Sequence, residues 1–371
     1  MWALQALKPD YRVALIAGGW IDLDALNSFY GTSIDRAEID LVEIPLPWPL
    51  ARSDWGAALR GALVSRGMRQ YFDRFDVLIN AYNIGDFGRP GIHFLADFSW
   101  DEELRQSLDP APRGARGFVH LHRPLRLGYL AFATALAGQR PRSQRGAGLV
   151  IANSNWSREI LARRHGIDSC VLYPPVGAPS SSTLKMRRFV CIGRISPEKR
   201  IERIIEIIKA VRGRGHDLEL HIAGDMRETL YSREIEQLCV REAGWIVMHG
   251  RLAGARKYQL LAESAFGIHA CAKEAFGIGV AEMAAAGSIP FVPAAGGPAE
   301  IVAHDPNLTY KSVEDAVAKI DAMLTNPALE LTTRAALIRR ARNFSTEAFM
   351  HGIRDIVGGF VGSHERIAAA G

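Results

Sequence analysis

The chain has 371 residues, 48% of them hydrophobic and 23% charged, with 45 basic and 40 acidic side chains giving a net charge of +5. At roughly 100 to 200 residues per domain, that length suggests two globular domains with a sizeable buried core. The apolar residues are scattered, with no run of about 18 to 20 that would span a bilayer, and the opening MWALQALKPDYRVALI lacks the zones of a secretion signal. A cytoplasmic protein is the expectation.

The basic excess favours anionic partners, phosphates or acidic lipid surfaces, without choosing among them. No recognisable DNA- or RNA-binding module accompanies it, so no nucleic-acid partner is expected. Cys170, Cys191, Cys239 and Cys271 lie far apart in the second half with neither zinc nor redox spacing, which predicts reduced, buried thiols.

From the start of the chain, a helical stretch, WALQALK, runs straight into a strand. Short runs rich in Val and Ile then alternate with helical patterns, the signature of an α/β protein with parallel strands joined by helices. In the first half, strands are predicted at Arg12–Ala17, Leu41–Ile44, Val77–Ala81, Ile92–Leu95, Leu149–Ala152 and Cys170–Leu172. A doubly wound domain normally opens on a strand and a glycine-rich turn, so one element is expected to be missing ahead of WALQALK. Asp22 and Asp24 form an Asp-x-Asp pattern that suits a metal, but Asp is equally expected at a helix N-cap and first turn. His120 and His122 share one strand face without a third ligand nearby, which favours a solvated or capping role over metal binding. Residues 113–145 set seven arginines around Leu127, Tyr129, Leu130 and Phe132. That stretch suits either peripheral contact with an anionic membrane or a helix packed in the first domain.

YPPVGAPSSS, from Tyr173 to Ser182, interrupts the rhythm with prolines and small polar residues and predicts an exposed connection between domains. The second half resumes with strands at Arg188–Ile192, Leu218–Ala223, Trp245–Met248, Phe266–Ala270 and Ile289–Val292. Two doubly wound domains joined in this way would face each other across a cleft, with ligands at the carboxyl ends of their strands.

Chemistry concentrates in two places. FVCIGRISPEKRIERIIEIIKAV reads as a buried strand, a turn at Gly193, a short basic loop and a helix with apolar Ile201, Ile204, Ile205 and Ile208. Arg194 and Lys199 flank a helix start that already attracts anions, and together they suit a diphosphate; the alternative is an Arg194–Glu198 pair beside a solvated Lys199. In AFGIHACAKEAFGIGVAEMAAAGSIPFVPAAGGPAEIV, a loop carries Glu274, Gly277 and Gly279 open a helix, and Glu282 follows eight residues after Glu274. Small residues at the helix start let backbone amides reach a phosphate or sugar, and two carboxylates can accept hydrogen bonds from hydroxyls. Glu282 alone could equally serve the helix dipole, and the glycines alone could merely turn the chain.

GRISPEK, KEAFGIGVAE and AAGGPAEIV together resemble the retaining glycosyltransferases of family 4, which have the GT-B fold of two facing Rossmann-like domains. The likeness extends to NSNWS (Asn153–Ser157), YPPV and FSTEAF, and WALQALKPDYRVAL and RPLRLGYLAFATALAG are most similar to members that extend a lipid-linked oligosaccharide from GDP-mannose. The resemblance implies a first domain at 1–173, a linker at 174–186, a donor domain at 187–345 and a final helix at 346–371 crossing back to the first domain. It implies that Arg194 and Lys199 neutralise the donor diphosphate, that Glu274 holds the donor sugar, that Glu282 holds the ribose, and that amides around Phe276, Gly277 and Ile278 cradle the distal phosphate, with Gly193 also on the donor side. Asp97 falls near the position where the family often has a histidine, and His93 lies four residues earlier; both are acceptor-side candidates. The resemblance further implies a nucleotide-sugar donor, GDP-mannose ahead of a UDP-sugar, a glycan or lipid-linked acceptor, a place at the inner face of a membrane, and no metal or other cofactor. Other readings are a UDP-sugar transferase of the same family or a non-catalytic nucleotide-sugar-binding subunit. The family's glycine-rich first loop would fall ahead of Met1, so the start is expected to be incomplete or the form truncated.

Overall fold

The computed structural model describes residues 1–47, 57–98, 101, 104, 122–138, 148–177, 184–226 and 229–370. His120 and the parts of the arginine-rich stretch at 113–121 and 139–145 lie outside the described residues, as do linker residues 178–183.

All eleven predicted strands form, and a twelfth is added. In the first half β1 (Ala14–Gly18) and β2 (Asp40–Ile44) make a parallel pair. A four-stranded parallel sheet follows in the order β3 (Ile79–Asn80), β4 (Ile92–Phe94), β5 (Leu149–Ala152), β6 (Cys170–Val171). Among the described residues no strand joins β1 to β3, so the first half carries two sheets rather than one. Its helices are α1 (Trp2–Leu7), α2 (Leu23–Tyr30), α3 (Ala57–Met68), α4 (Arg123–Leu136) and α5 (Asn155–His165). Asp22 caps α2, its carboxylate accepting from Ala25 N at 2.9 Å, and Asp24 sits in the first turn, which accounts for the Asp-x-Asp pattern.

In the second half, β7 (Met186–Ile192), β8 (Glu219–Ala223), β9 (Ile246–Gly250), β10 (Ser264–Ile268), β11 (Ile289–Pro293) and β12 (Thr309–Tyr310) form one parallel sheet ordered β12-β11-β10-β7-β8-β9. Two-residue β12 escaped the sequence pattern because it is too short to show periodicity. The helices are α6 (Ile201–Arg212), α7 (Leu230–Arg241), α8 (Gly254–Glu263), α9 (Ile278–Ala285), α10 (Gly297–Ile301), α11 (Val313–Leu324) and α12 (Pro327–Ala341). Helices on the sheet explain why β10 and β11 are buried at every position and, apart from Ser264, built of apolar residues and glycine. Phe189, Phe266 and Phe291 meet across neighbouring strands, with Phe189 and Phe266 stacked at 5.2 Å, and each buried ring contributes roughly 1.5–3 kcal/mol. Strand order reverses between β7 and β10, and a crevice at such a switch point is where doubly wound sheets bind ligands.

The expected exposed connection begins as a packed one. Pro174 and Pro175 hold the backbone extended, and Val176, 4% exposed, bridges to Ser345 and donates its N–H to Phe344 O at 2.8 Å. Beyond it, α13 (Thr346–Ala370) runs back to the first half: Phe349, Ile353 and Val357 pack with Ala6, Leu7, Ile92 and Ile151, and Arg354 Nε donates to Ala6 O at 2.7 Å. All four cysteines are free, three of them buried.

Candidate functional site

The site grows from the two strand ends at the switch point. After β7 the chain turns at Gly193, makes a short 3-10 turn over Pro197–Lys199, and enters α6 through Arg200, whose φ of +51° is uncommon for a side-chain-bearing residue. Ile201, Ile204, Ile205 and Ile208 are buried, so the helix is anchored by its apolar face and the turn is held at its start. That turn swings Lys199 inward, where its ammonium pairs with Glu274. Arg194 stays exposed and reaches Glu198 at 3.4 Å. One half of the bland alternative therefore holds, the Arg194–Glu198 pair, while a solvated Lys199 does not.

After β10 the loop 269–277 carries Glu274 and ends at Gly277, which caps α9 at φ +96°. A side chain there would be strained, and its Cβ would stand 3.0 Å from Pro298 Cγ. Gly279 is required for another reason: a Cβ would come within 2.8 Å of Ile192 O, so its absence lets the first turn of α9 lie against the end of β7. The amide-bearing start of α9 thereby lies against the end of β7, whose following turn carries Arg194 and Lys199, an arrangement suited to an anion. Glu282, buried within α9, pairs with Lys257 Nζ at 2.6 Å, and Lys257 in turn lies over the Tyr258 ring. Phe276 is buried beneath the loop and packs on Tyr173 and Phe344.

Electrostatics tie these groups into one unit. Burial by itself would push the Glu274 carboxyl up, but the Lys199 ammonium beside it holds it below the usual carboxylate range, with His269 adding to this only at acid pH where its ring is charged. Burial would likewise pull Lys199 down, and Glu274 outweighs it, keeping the amine charged. His269 Nε2 lies 3.5 Å from Glu274 Oε2, and burial lowers that imidazole to about 4, so it is neutral at pH 7. Donor atoms of His269, Cys271 and Glu274 fall within 4.8 Å of one another. The Lys199 ammonium supplies positive charge at that cluster, and burial pushes the Cys271 thiol up.

The first half meets this loop through α5. Ser154 caps the helix and donates its hydroxyl to Ala275 O at 2.6 Å, one residue from Glu274. Glu300, on α10 and 5% exposed, accepts from Asn155 N at 3.0 Å, Trp156 N at 2.5 Å, Asn155 Nδ2 at 3.2 Å and the Tyr173 hydroxyl at 3.2 Å. Gly297 N, at the start of α10, donates to Glu274 O at 2.9 Å, so the same short helix touches both the joint and the loop. Asp97 follows β4 and accepts from Tyr82 Oη at 2.8 Å and Asn83 Nδ2 at 3.0 Å. Asn83 Oδ1 receives the Asp97 amide, and Asn153 Nδ2 donates to Ala96 O, which links Asp97 to the start of α5. His93 is buried within β4, stacked on Phe87.

The structure thus brings Gly193, Lys199, Glu274, Gly277 and Ile278 to one switch point, with Arg194 on its rim and Glu282 one helical turn inside. Sequence reasoning missed Lys257, His269 and Glu300 as partners of the site. The last two sit inside the quoted signal stretches, but nothing in linear spacing pairs Glu300 with Asn155, 145 residues away.

Residues 179–344 match the family described as Glycosyl transferases group 1. A curated relative from Dictyostelium discoideum, GDP-Man:Man(3)GlcNAc(2)-PP-Dol alpha-1,2-mannosyltransferase, is 28% identical over 42% of this chain and 36% of its own. The match therefore spans little more than a third of that relative's length. Among solved structures, WaaG, a glycosyltransferase involved in lipopolysaccharide biosynthesis, superposes with a TM-score of 0.67 at 16% identity, covering 96% of this chain and 94% of that one. Anabaena HepE in complex with UDP and glucose gives a TM-score of 0.63 at 18% identity, over 96% and 95%. Sucrose-phosphate synthase from Thermosynechococcus elongatus gives 0.67 at 13%, over 97% and 91%. At these identities the neighbours show the fold, two parallel-sheet halves of the GT-B kind.

Proposed function

We propose that this chain, which carries a glycosyl transferases group 1 domain at residues 179–344, moves a hexose from a nucleoside-diphosphate sugar to a glycan or lipid-linked acceptor with retention at the anomeric carbon. One observation carries the reading: Lys199, Glu274 and the amide-bearing start of α9 converge where the sheet order reverses. Lys199 and Arg194 would hold the diphosphate and offset the charge it gains as the glycosidic bond breaks. The α9 N-terminus would add its partial positive charge, so the reading calls on no metal. Glu274 would hold hydroxyls of the donor sugar and stabilise positive charge developing at the anomeric carbon, and Glu282 would hold the ribose. Asp97 faces the acceptor side in this reading.

Mannose from GDP-mannose is favoured because the Dictyostelium relative's name specifies that donor and a dolichol-linked acceptor. The Anabaena neighbour with UDP and glucose bound supports the second reading, a UDP-sugar donor. Among the described residues no helix is long and apolar enough to cross a membrane. We read α4 as a peripheral contact, with Leu125, Leu127 and Phe132 exposed beside Arg126, at the inner face of a membrane bearing the lipid-linked acceptor.

The test supplies GDP-[14C]mannose or UDP-[14C]glucose to the purified chain with a detergent extract of lipid-linked oligosaccharides. Label should enter the lipid-glycan fraction, and Glu274→Gln should cut that incorporation roughly a hundredfold, the usual size of losing one preorganised electrostatic contact. A Glu274→Gln protein as active as the parent removes Glu274 from the mechanism. Nucleotide binding without incorporation from either donor favours a binding-only subunit.

A further inference from the structure

The cluster around Glu274 holds a side chain that the proposed reaction leaves without a task. His269 follows β10 directly, and its backbone is fixed on both sides: its N–H donates to Phe291 O at 3.0 Å, and its carbonyl accepts from the Tyr310 hydroxyl at 2.5 Å. The ring is buried, 6% exposed, and among the described residues its Nε2 has no hydrogen-bond partner. A buried polar atom left unpaired costs about 1–3 kcal/mol, so its persistence calls for a reason. The Glu274 carboxylate stands close by, its Oε2 3.5 Å from Nε2, and this is the same oxygen that pairs with Lys199.

Resting on the transferase reading above, we propose that His269 is a positioning residue for Glu274: its Nε2–H takes up the Glu274 carboxylate when Lys199 turns to the donor diphosphate, keeping Glu274 ionised and aimed at the sugar. Lys199 is asked to serve two anions, Glu274 in the empty site and the diphosphate in the occupied one. When it shifts, a largely buried carboxylate loses its counter-charge, and an unpaired buried charge is strongly unfavourable. Glu274 would then take up a proton or swing toward the departing Lys199, and either would spoil its hold on the sugar hydroxyls. A neutral imidazole N–H a few tenths of an ångström beyond hydrogen-bond range can close on the carboxylate with little motion. Burial fits this role, since the depressed imidazole stays neutral through the physiological range; the Cys271 backbone also hydrogen-bonds the ring, so the role requires that the single ring proton sit on Nε2.

The test uses the full chain with two substitutions: His269→Gln, whose amide N–H can stand in for Nε2–H, and His269→Phe, which keeps ring volume but removes both nitrogens. In 15N NMR of the ring-labelled parent, His269 should be neutral and protonated at Nε2 near pH 7; an Nδ1–H tautomer or an imidazolium overturns the proposal. This measurement needs no substrate, so it judges His269 even if no donor is turned over. In calorimetry, affinity for GDP and UDP should stay within about twofold of the parent in both variants, because the diphosphate contacts are untouched. The extra affinity of GDP-mannose over GDP, or of UDP-glucose over UDP, should drop roughly tenfold in His269→Phe and recover in His269→Gln, matching the loss of one hydrogen bond to a charged group. Turnover should follow the same order with the donor nucleotide's contribution to KM unchanged. Equal losses in both variants, or none in His269→Phe, refute the role. A parent that binds neither nucleotide refutes the transferase reading instead, and the tautomer then decides His269 alone.

Discussion

Lys199 and Glu274 stabilise one another over a wide pH window, and the signs differ at its two ends. Glu274 titrates below its ordinary value of 4.5, so its contribution is present above that value and is lost as pH falls further. Lys199 titrates above its ordinary 10.5, so its contribution is present below that value and is lost as pH rises through the higher folded value. His269 acts differently: held at about 4 against an ordinary 6.5, it stays neutral in the fold while the unfolded chain takes up a proton, and stability declines as pH falls between these values. Denaturant titrations should therefore show Glu274→Gln flattening the loss below about pH 4.5, and His269→Phe flattening the loss between about pH 6.5 and 4. A pH profile unchanged by either substitution contradicts the assigned environments. The sequence put Arg194, Lys199, Glu274 and Glu282 near one another, because each lies beside a glycine-marked turn at a strand end or helix start, and the structure brings Lys199 onto Glu274 there. The sequence hid Lys257, whose pairing with Glu282 arises only once α8 and α9 pack on the sheet.

The elements that carry the site depend on close backbone approach. Gly297 lies where a Cβ would fall against Ala275 O and the Cα of Phe276, so α10 can sit on the Glu274 loop only without a side chain there. Gly297→Ala should force the loop to move, lowering stability by about 1–3 kcal/mol and sugar transfer by more than nucleotide binding, measured by melts and calorimetry. Glu300 holds the first two amides of α5, and Glu300→Ala leaves buried donors unpaired, at a cost of at least about 2 kcal/mol. An undiminished melting temperature in Glu300→Ala denies the joint its importance. Strand positions were legible because buried parallel strands are continuous apolar runs between turn residues. The packed start of the linker was not, because Val176 is buried by Phe344 and Ser345, which lie far along the chain.

Across the whole molecule, α13 binds the end of the chain to its beginning. Ile353 is fully buried among Ala6, Leu7, Phe349 and Val357. Ile353→Ala should cost about 2–5 kcal/mol and loosen the first half ahead of the second, visible as a split calorimetric transition; a single transition at the parent temperature speaks against this coupling. The exposed apolar residues of α4 make a second claim: Leu125→Asp with Phe132→Asp should reduce sedimentation with anionic phosphatidylserine vesicles, and unaltered sedimentation discards α4 as the contact. A nucleotide-sugar site built on Lys199 and Arg194 should be read out by calorimetric titration with GDP and UDP. The parent should bind at least one of the two, and Arg194→Ala combined with Lys199→Ala should weaken that binding at least roughly tenfold, the worth of charge-assisted contacts to phosphate. Equal affinity in the parent and the double variant would contradict such a site.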